Sequence, residues 1–141
     1  MLPSIIKRMH EAKLKNKKLE AWGDGTPLRE YTYSEDMASA FLWCFENYSS
    51  SNILNVGSNE ERSVKEIVYY IADSMNFNKE NIVFDIRKSG GISKKSMNNS
   101  NFLKSSNYKF LSLKEGIKKT VDWYIKSYEE NGGTVRKNLK N

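Results

Sequence analysis

The chain reads WGDGTPLREY at residues 22–31, a turn-rich stretch between two short segments that contain strand-forming residues. Glycine and proline dominate its first half, and they mark loops because they adopt or fix backbone angles that regular elements avoid. We therefore predict a loop from Gly23 to Pro27, a short strand within residues 17–22, and an extended segment at residues 30–33. Arg29 is the second residue after the loop, so its charged side chain is presented at a fixed turn of the backbone.

Four amphipathic helices are predicted around this stretch. Pro3 suits the first turn of the first helix, and Ser34 is the predicted N-cap of the second, which runs to about Tyr48. The third and fourth begin at capping boxes, SVKE at residues 63–66 and SLKE at residues 112–115, and the fourth ends near Tyr128. Apolar residues at helical spacing predict these inward faces: Ile5, Ile6, Met9 and Ala12; Met37, Ala38, Phe41, Leu42 and Phe45; Val64, Ile67, Val68, Ile71 and Met75; Leu113, Ile117, Val121 and Tyr124.

Short strands alternate with these helices. Residues 53–57 read ILNVG, which predicts a short buried strand closed by a glycine, and residues 82–84 read IVF, which predicts another. Residues 88–100 form a polar, glycine-containing loop of the kind that carries ligand contacts. The alternation predicts an α/β fold in which helices surround a small sheet of a few short strands.

Length and composition indicate one globular domain of 141 residues, 38% of them hydrophobic. No apolar run approaches the roughly 20 residues of a membrane span, and Lys7 and Arg8 interrupt any secretory signal, so we expect a cytoplasmic protein. A single cysteine, Cys44, and a single histidine, His10, provide neither a disulfide framework nor a zinc cluster, and we expect no metal. Cys44 lies beside the apolar face of the second helix, which favours burial over reactivity.

The charge is unevenly distributed. A net charge of +6 and a pI near 9.3 favour an anionic partner, although lysines at residues 7–18 and 136–140 equally suit solvated segments. Residues 129–141 are polar and contain two adjacent glycines, so a flexible tail is predicted after a domain that spans residues 1–128.

The loop and its neighbours have the chemistry of an anion site. The planar fork of Arg29 can hold phosphate oxygens bidentately, and Trp22 can stack on a base or a sugar. Both residues also have simpler interpretations, Arg29 as a solvated loop charge and Trp22 as a core or lid residue.

Three stretches together resemble the extended short-chain dehydrogenase/reductase family, and within it the GDP-L-fucose synthases. They are WGDGTPLREY with SEDMA at residues 34–38, NVG at residues 55–57 with the helix start at residue 63, and SLKEGI at residues 112–117. The resemblance covers about residues 2–128 and implies that this is the C-terminal, substrate-binding part of such an enzyme. It places Arg29, Trp22, Arg8 and Lys95 in a GDP-sugar site, with exposed-charge readings left open for Arg8 and Lys95. Ser89 and Gly90 depart from the family pattern, which puts the nucleotide in doubt.

The same resemblance indicates which parts of a complete enzyme of this family the chain lacks. The chain contains no glycine-rich dinucleotide turn, so it has no complete Rossmann domain and no cofactor is expected to bind to it. None of the eight tyrosines has a lysine four residues later, so we assign no catalytic residue. The resemblance implies NADP(H), the acid/base tyrosine and the epimerisation residues in an N-terminal nucleotide-binding half, within the same chain or a separate one.

Alternative interpretations remain at this point. The chain is either a truncated or split part of the enzyme, catalytically incomplete alone, or a non-catalytic remnant that binds a nucleotide-sugar. A homo-oligomer is left open. A third hypothesis, a small basic nucleic-acid-binding module, is disfavoured because no basic stripe is interleaved with aromatic residues.

Overall fold

The computed structural model describes residues 1–88 and 91–135 and confirms an α/β fold. Its α-helices in these ranges are α1 (Leu2–Leu14), α2 (Ser34–Asn47), α3 (Val64–Met75), α4 (Ser100–Ser106) and α5 (Leu113–Glu130). Its strands are β1 (Leu19–Trp22), β2 (Leu28–Glu30), β3 (Glu61–Ser63), β4 (Ile82–Asp85) and β5 (Lys94–Lys95), and a 3-10 turn spans Lys79–Asn81.

The strands form two small sheets. In one, β1 runs parallel to β4, with Trp22 in register with Asp85. In the other, β2 lies between β3, which is antiparallel to it, and β5, which is parallel to it. The predicted extended segment at residues 30–33 is therefore displaced, since the strand begins at Leu28 and ends at Glu30.

The core lies between α1, α3 and α5. Every residue predicted to face inward from these three helices is buried. Each such aliphatic side chain contributes about 1.5–3 kcal/mol when fully removed from water, so this cluster is the main source of stability. None of the helices among the described residues has the length and apolar composition that a membrane crossing requires.

The two predicted capping boxes differ in detail. The Ser63 hydroxyl accepts from the Glu66 N–H at 3.2 Å while the Glu66 carboxylate accepts from the Ser63 N–H at 2.9 Å, which completes the reciprocal motif. At Ser112 the hydroxyl accepts from the Glu115 N–H at 3.3 Å, and the carboxylate instead accepts from that hydroxyl at 2.5 Å. Both helices nevertheless begin where the sequence predicts.

Helix α2 departs from the prediction. Its N-cap is Tyr33 rather than Ser34, and no side chain caps it. The face predicted to be buried is open: Phe41, Leu42 and Phe45 are 60%, 63% and 89% exposed, and only Ala40 is buried. The helix is held from its opposite side, so nothing among the described residues covers the apolar stripe.

Cys44 on the same helix is half-buried. Desolvation raises the pKa of its thiol, which keeps it protonated and poorly nucleophilic.

The buried strand predicted at residues 53–57 is also wrong. No strand forms there, and Ile53 is 92% exposed. A strand requires a neighbouring strand that pairs with its backbone groups. Among the described residues this segment has side-chain contacts instead, such as a 3.1 Å hydrogen bond from the Asn55 side-chain amide to the Asn98 backbone carbonyl.

The predicted polar loop at residues 88–100 contains β5 and ends at α4, a helix that the sequence analysis missed. Phe102 anchors α4, with its ring centroid 5.5 Å from that of Trp43 in a T-shaped arrangement. Residues 89 and 90 of this loop, including the departures from the family pattern, lie outside the described residues.

The first residues of the predicted tail, up to Val135, make defined contacts with the domain. Helix α5 continues to Glu130, the Gly133 N–H donates to the Tyr128 carbonyl at 2.9 Å, and Val135 packs against the core. Residues 136–141 lie outside the described residues.

Candidate functional site

The loop that precedes Arg29 is rigid for identifiable reasons. Gly23 and Gly25 both have positive φ angles, 81° and 80°, which glycine adopts without strain. A Cβ on Gly25 would lie 2.8 Å from the Phe84 ring and 2.9 Å from the Lys65 Cβ, so no larger residue fits. The loop therefore needs glycine for both its backbone conformation and its close packing.

Helix α3 holds the same loop from one side. Its first two backbone N–H groups, those of Val64 and Lys65, donate to the carbonyls of Pro27 and Gly25 at 2.9 Å each. Asp24 closes the tip of the loop by accepting from the Thr26 N–H at 2.9 Å and the Thr26 hydroxyl at 2.8 Å. These two hydrogen bonds lower the pKa of Asp24. The position at which β2 begins is thus fixed by α3.

Three cationic residues occupy one row across the second sheet. Arg29 on β2 is in register with Arg62 on β3 and with Lys95 on β5. Arg62 is neutralised by Glu60, with 2.9 Å between the guanidinium and the carboxylate. The Arg29 guanidinium donates to the Leu28 carbonyl at 2.7 Å, which turns it back along its own strand. The row concentrates positive charge beside the rigid loop.

Arg29 borders a cavity of about 460 Å³. Arg8 from α1 and Trp22 from the end of β1 line the same cavity, so three of the four predicted site residues meet there. Among the residues that the structure describes, the lining consists of Met1, Ser4, Ile5, Arg8, Ala21, Trp22, Pro27, Arg29 and Val64. These residues provide two guanidinium groups and no carboxylate, an arrangement that favours an anionic ligand with an apolar or planar part.

Lys95, the fourth predicted residue, does not line this cavity. It lies in register with Arg29 and borders a second, larger groove of about 890 Å³ that Arg29 also lines. Arg29 thus stands between the two spaces, and Lys95 reaches the first cavity only through its charge.

Trp22 lies at the surface, at the end of β1. It is 59% exposed, which contradicts a core role. The ammonium of Lys88 lies 5.4 Å from the centroid of its ring, within cation–π range. Lys88 is itself held by ion pairs to Glu20 and, at 3.8 Å, to Asp85.

Sequence reasoning missed Lys88 and Asp85 as part of this site. Asp85 is buried at the end of β4 and accepts from the Arg87 guanidinium at 2.8 Å and 3.1 Å. Those hydrogen bonds lower the pKa of Asp85, so its carboxylate stays ionised and holds Lys88 in place. The available signal was the DIRK cluster at residues 85–88, directly after a predicted strand.

Arg8 is oriented by β1, because its guanidinium donates to the Glu20 carbonyl. Guanidinium groups stay protonated at all accessible pH values and exchange no protons with a ligand. The charged groups of the cavity are therefore suited to holding an anion rather than to acid–base chemistry.

Sequence comparison and structure comparison match this chain to the same group of proteins. Residues 1–57 match the NAD dependent epimerase/dehydratase family. A GDP-L-fucose synthase from Dictyostelium discoideum is 34% identical over 133 residues, covering 92% of this chain and 41% of that protein. The crystal structure of a GDP-L-fucose synthetase from Naegleria fowleri superposes with a TM-score of 0.88 and 32% identity, covering 96% of this chain and 41% of that chain.

A second crystal structure of the Naegleria fowleri protein, bound to NADP, superposes with a TM-score of 0.86 and covers 91% of this chain and 40% of that chain. This chain therefore spans about two fifths of the length of the relatives that it matches. In sequence and in fold, the chain matches the C-terminal portion of GDP-L-fucose synthase-like proteins of the extended short-chain dehydrogenase/reductase (NAD dependent epimerase/dehydratase) family.

Proposed function

We propose that residues 1–128 are the substrate-binding portion of a GDP-L-fucose synthase-like, NADP-dependent nucleotide-sugar epimerase/reductase. The observation that carries this proposal is the convergence of Arg8, Trp22 and Arg29 on one cavity, with no carboxylate among the described residues that line it. A volume of about 460 Å³ is within the range of small-molecule sites.

Arg29 is the principal contact for the diphosphate of the nucleotide-sugar. The loop before it is held by close packing and by hydrogen bonds from α3, and Arg29 lies between Arg62 and Lys95 in the cationic row. The charge-assisted contact of one bidentate guanidinium with phosphate oxygens is worth about 1.5–3 kcal/mol in total, and its planar fork also fixes the geometry. Lys95 assists by long-range charge.

Trp22 flanks the diphosphate and stacks on a planar or C–H-rich part of the ligand. Lys88 lies over its ring and fixes its orientation. Arg8 contributes the second guanidinium from α1. The four predicted residues then divide into three direct contacts and one distant charge.

The chain is catalytically incomplete by itself in this proposal. Its sequence has Gly23 and Gly25 after β1, but Leu28 stands where a dinucleotide fingerprint needs its third glycine, and a strand follows where that fingerprint needs a helix. These residues do not fit NADP(H). In the complete enzyme the cofactor and the acid–base groups belong to the N-terminal nucleotide-binding half.

Titration calorimetry of GDP and GDP-mannose against the wild type, Arg29→Ala and Arg29→Lys tests this function. Arg29→Ala should weaken binding roughly ten- to a hundredfold, since each 1.4 kcal/mol is a factor of ten. Arg29→Lys should recover little because the ammonium keeps the charge but loses the fork.

Arg62→Ala is the matched control. Its guanidinium lies in the same row and pairs with Glu60, but it does not line the cavity of about 460 Å³, so its loss should change affinity less than about twofold. Equal affinities for the wild type and both Arg29 variants would remove Arg29 from the site and overturn the proposal.

A further inference from the structure

The single histidine of the chain packs against two tyrosine rings of α5. The ring centroid of His10 is 4.6 Å from that of Tyr128 and 5.5 Å from that of Tyr124. Its Nδ1 atom is buried and has no hydrogen-bond partner among the described residues. Arg8 lies two residues earlier, about 200° around the helix, and lines the proposed ligand site instead. His10 therefore belongs to the contact between α1 and α5, away from that site.

One of these tyrosines also holds the last described segment of the chain. We define the C-terminal strap as residues 131–135, which directly follow α5. The Gly133 N–H donates to the Tyr128 carbonyl at 2.9 Å, and a Cβ on Gly133 would lie 3.6 Å from the Tyr128 hydroxyl oxygen. Val135 packs against the core. Tyr128 thus contacts both His10 on α1 and Gly133 in the C-terminal strap.

The C-terminal strap borders a groove of about 650 Å³. Gly133 and Val135 line this groove together with the aromatic side chains Trp123, Tyr124 and Tyr128, and residues of α1 complete it. Trp123 is 60% exposed. A movement of the C-terminal strap away from Tyr128 would therefore open the groove and expose more of its aromatic surface to water.

A second proton on His10 is unfavourable in this arrangement. It would place a charged N–H donor at a buried position without an acceptor. The ammonium of Lys13 adds repulsion, and it is fixed by a 2.5 Å hydrogen bond to the Met75 carbonyl at the end of α3. Glu11 and Glu129 act in the opposite direction. Burial, aided by Lys13, outweighs the two carboxylates and lowers the pKa of His10 below its usual value of 6.5.

The remaining groups around His10 do not reverse this balance. The tyrosine rings attract a cation, but such attraction at a partly exposed site is weaker than the cost of burying a charged donor without a partner. Burial raises the pKa of Tyr124, so its phenol stays neutral near pH 6. The C-terminal strap has the sequence NGGTV and contributes no charged side chain.

We propose that His10 controls the C-terminal strap according to pH. Neutral His10 packs against Tyr128 and keeps the C-terminal strap closed beside the groove, whereas protonated His10 leaves this contact for water and the C-terminal strap opens. This stabilisation of the closed form is fully present above about pH 6.5, the value for an exposed histidine, and is lost as pH falls from there to the lowered closed-state pKa. One proton is taken up, so the closing equilibrium constant falls by at most about tenfold per pH unit.

NMR spectroscopy of the untagged 141-residue chain tests this proposal. His10 is the only histidine, so the Cε1–H of its ring gives a single resonance that needs no assignment. We expect its titration midpoint below 6.5 in the folded chain and near 6.5 in urea. The exchange rate of the Gly133 N–H, divided by that of an unstructured reference peptide at the same pH, should rise about threefold to tenfold between about pH 7.5 and about pH 5.5.

Two variants isolate the role of the histidine. His10→Phe keeps a ring against Tyr128 but has no titrating group, so the relative exchange of Gly133 should no longer depend on pH. Lys13→Gln removes the repulsion and should move the His10 midpoint toward 6.5. Lys118→Gln is the matched control for Lys13→Gln, because it makes the same change of charge on α5 at a side chain that is 68% exposed, and it should leave the midpoint unchanged.

Several outcomes would overturn the proposal. They are a His10 midpoint at or above 6.5 in the folded wild type, Gly133 exchange that follows the reference peptide equally at every pH, and a pH-dependent rise that persists in His10→Phe. The amide of the fully buried Ile67 reports on global unfolding and should keep its protection at about pH 5.5. Simultaneous loss of protection at Ile67 and Gly133 would show that acid unfolds the whole chain, which also contradicts a separate opening of the C-terminal strap.

Discussion

Helices α2 and α3 carry apolar stripes that look alike in the sequence, yet one is exposed and the other is buried. Helix α3 buries Val64, Ile67, Val68, Ile71, Ala72 and Met75, whereas α2 buries Ala40 alone. Helix α3 lies between two other helices of the same domain, and α2 packs only through its narrow opposite side. Hydrophobic periodicity therefore identifies a face that must be covered, but it does not identify the unit that covers it.

The two helices should differ most in the stability that is lost when an apolar side chain of each stripe is truncated to alanine. Ile67→Ala should destabilise the chain by about 2–5 kcal/mol, because Ile67 is fully buried and leaves a cavity. Leu42→Ala should cost less than about 0.5 kcal/mol in the isolated chain, where Leu42 is 63% exposed. Urea unfolding of both variants measures this, and comparable losses would mean that the α2 face is covered in solution.

The loop that anchors α3 offers the next largest effect. Gly25→Ala should cost about 1–3 kcal/mol from overpacking, because the new methyl group would meet Phe84 and Lys65, in addition to the backbone cost of its positive φ. Gly132→Ala is the control, with a positive φ of 62° and nothing within 4 Å of the added carbon. Thermal unfolding of the pair isolates the packing contribution, and identical midpoints would show that the loop can move away from α3.

The helix caps provide a smaller comparison. Ser63→Ala should destabilise α3 by about 0.5–2 kcal/mol, since it removes the acceptor for the Glu66 N–H. Ser34→Ala on α2 should change stability by less than about 0.5 kcal/mol, because Ser34 lies inside the first turn and caps nothing. A larger loss at Ser34 than at Ser63, measured by urea unfolding, would reverse the assignment of the two caps.

The smallest effect is an acid dependence at the start of α3. Hydrogen bonds from the Ser63 hydroxyl and backbone lower the pKa of Glu66. A lowered folded-state pKa means that the stabilisation is present above the unfolded-state pKa of about 4.3 and is lost as pH falls through the folded-state value. Thermal midpoints should fall with pH below about 4.3, and less steeply in Glu66→Gln than in the wild type. Parallel pH profiles for the two proteins would show that the Glu66 contacts add nothing.

The parts of the fold that the sequence predicted are those set by local rules. Caps and periodicity located α1, α3 and α5, and the glycines located the loop before Arg29. The strand predicted at residues 53–57 failed because pairing depends on a neighbour, which no local pattern reveals. Helix α4 was missed because its seven residues lack a side-chain cap and are anchored by Phe102 through tertiary contacts.

The candidate site was predictable in chemistry more than in geometry. Arg29 beside a rigid turn follows from the sequence, but the approach of Arg8 depends on how α1 packs against β1. The position of Lys88 over Trp22 depends on the parallel register of β1 and β4, which places Trp22 opposite Asp85. The family resemblance assigned both Arg8 and Lys95 to the site, but Arg8 lines the cavity and Lys95 borders the neighbouring groove.

The two cations Arg29 and Lys95, in register on β2 and β5, would couple the stability of the chain to the proposed ligand. Like charges in register across strands oppose folding, and a bound anion removes that repulsion. If a diphosphate binds at Arg29 as proposed, ligand at a hundred times its dissociation constant adds about 2.7 kcal/mol to the free energy of unfolding. Such an increment lowers the unfolded population by about two orders of magnitude, so depletion of the nucleotide-sugar would direct the protein toward proteolysis.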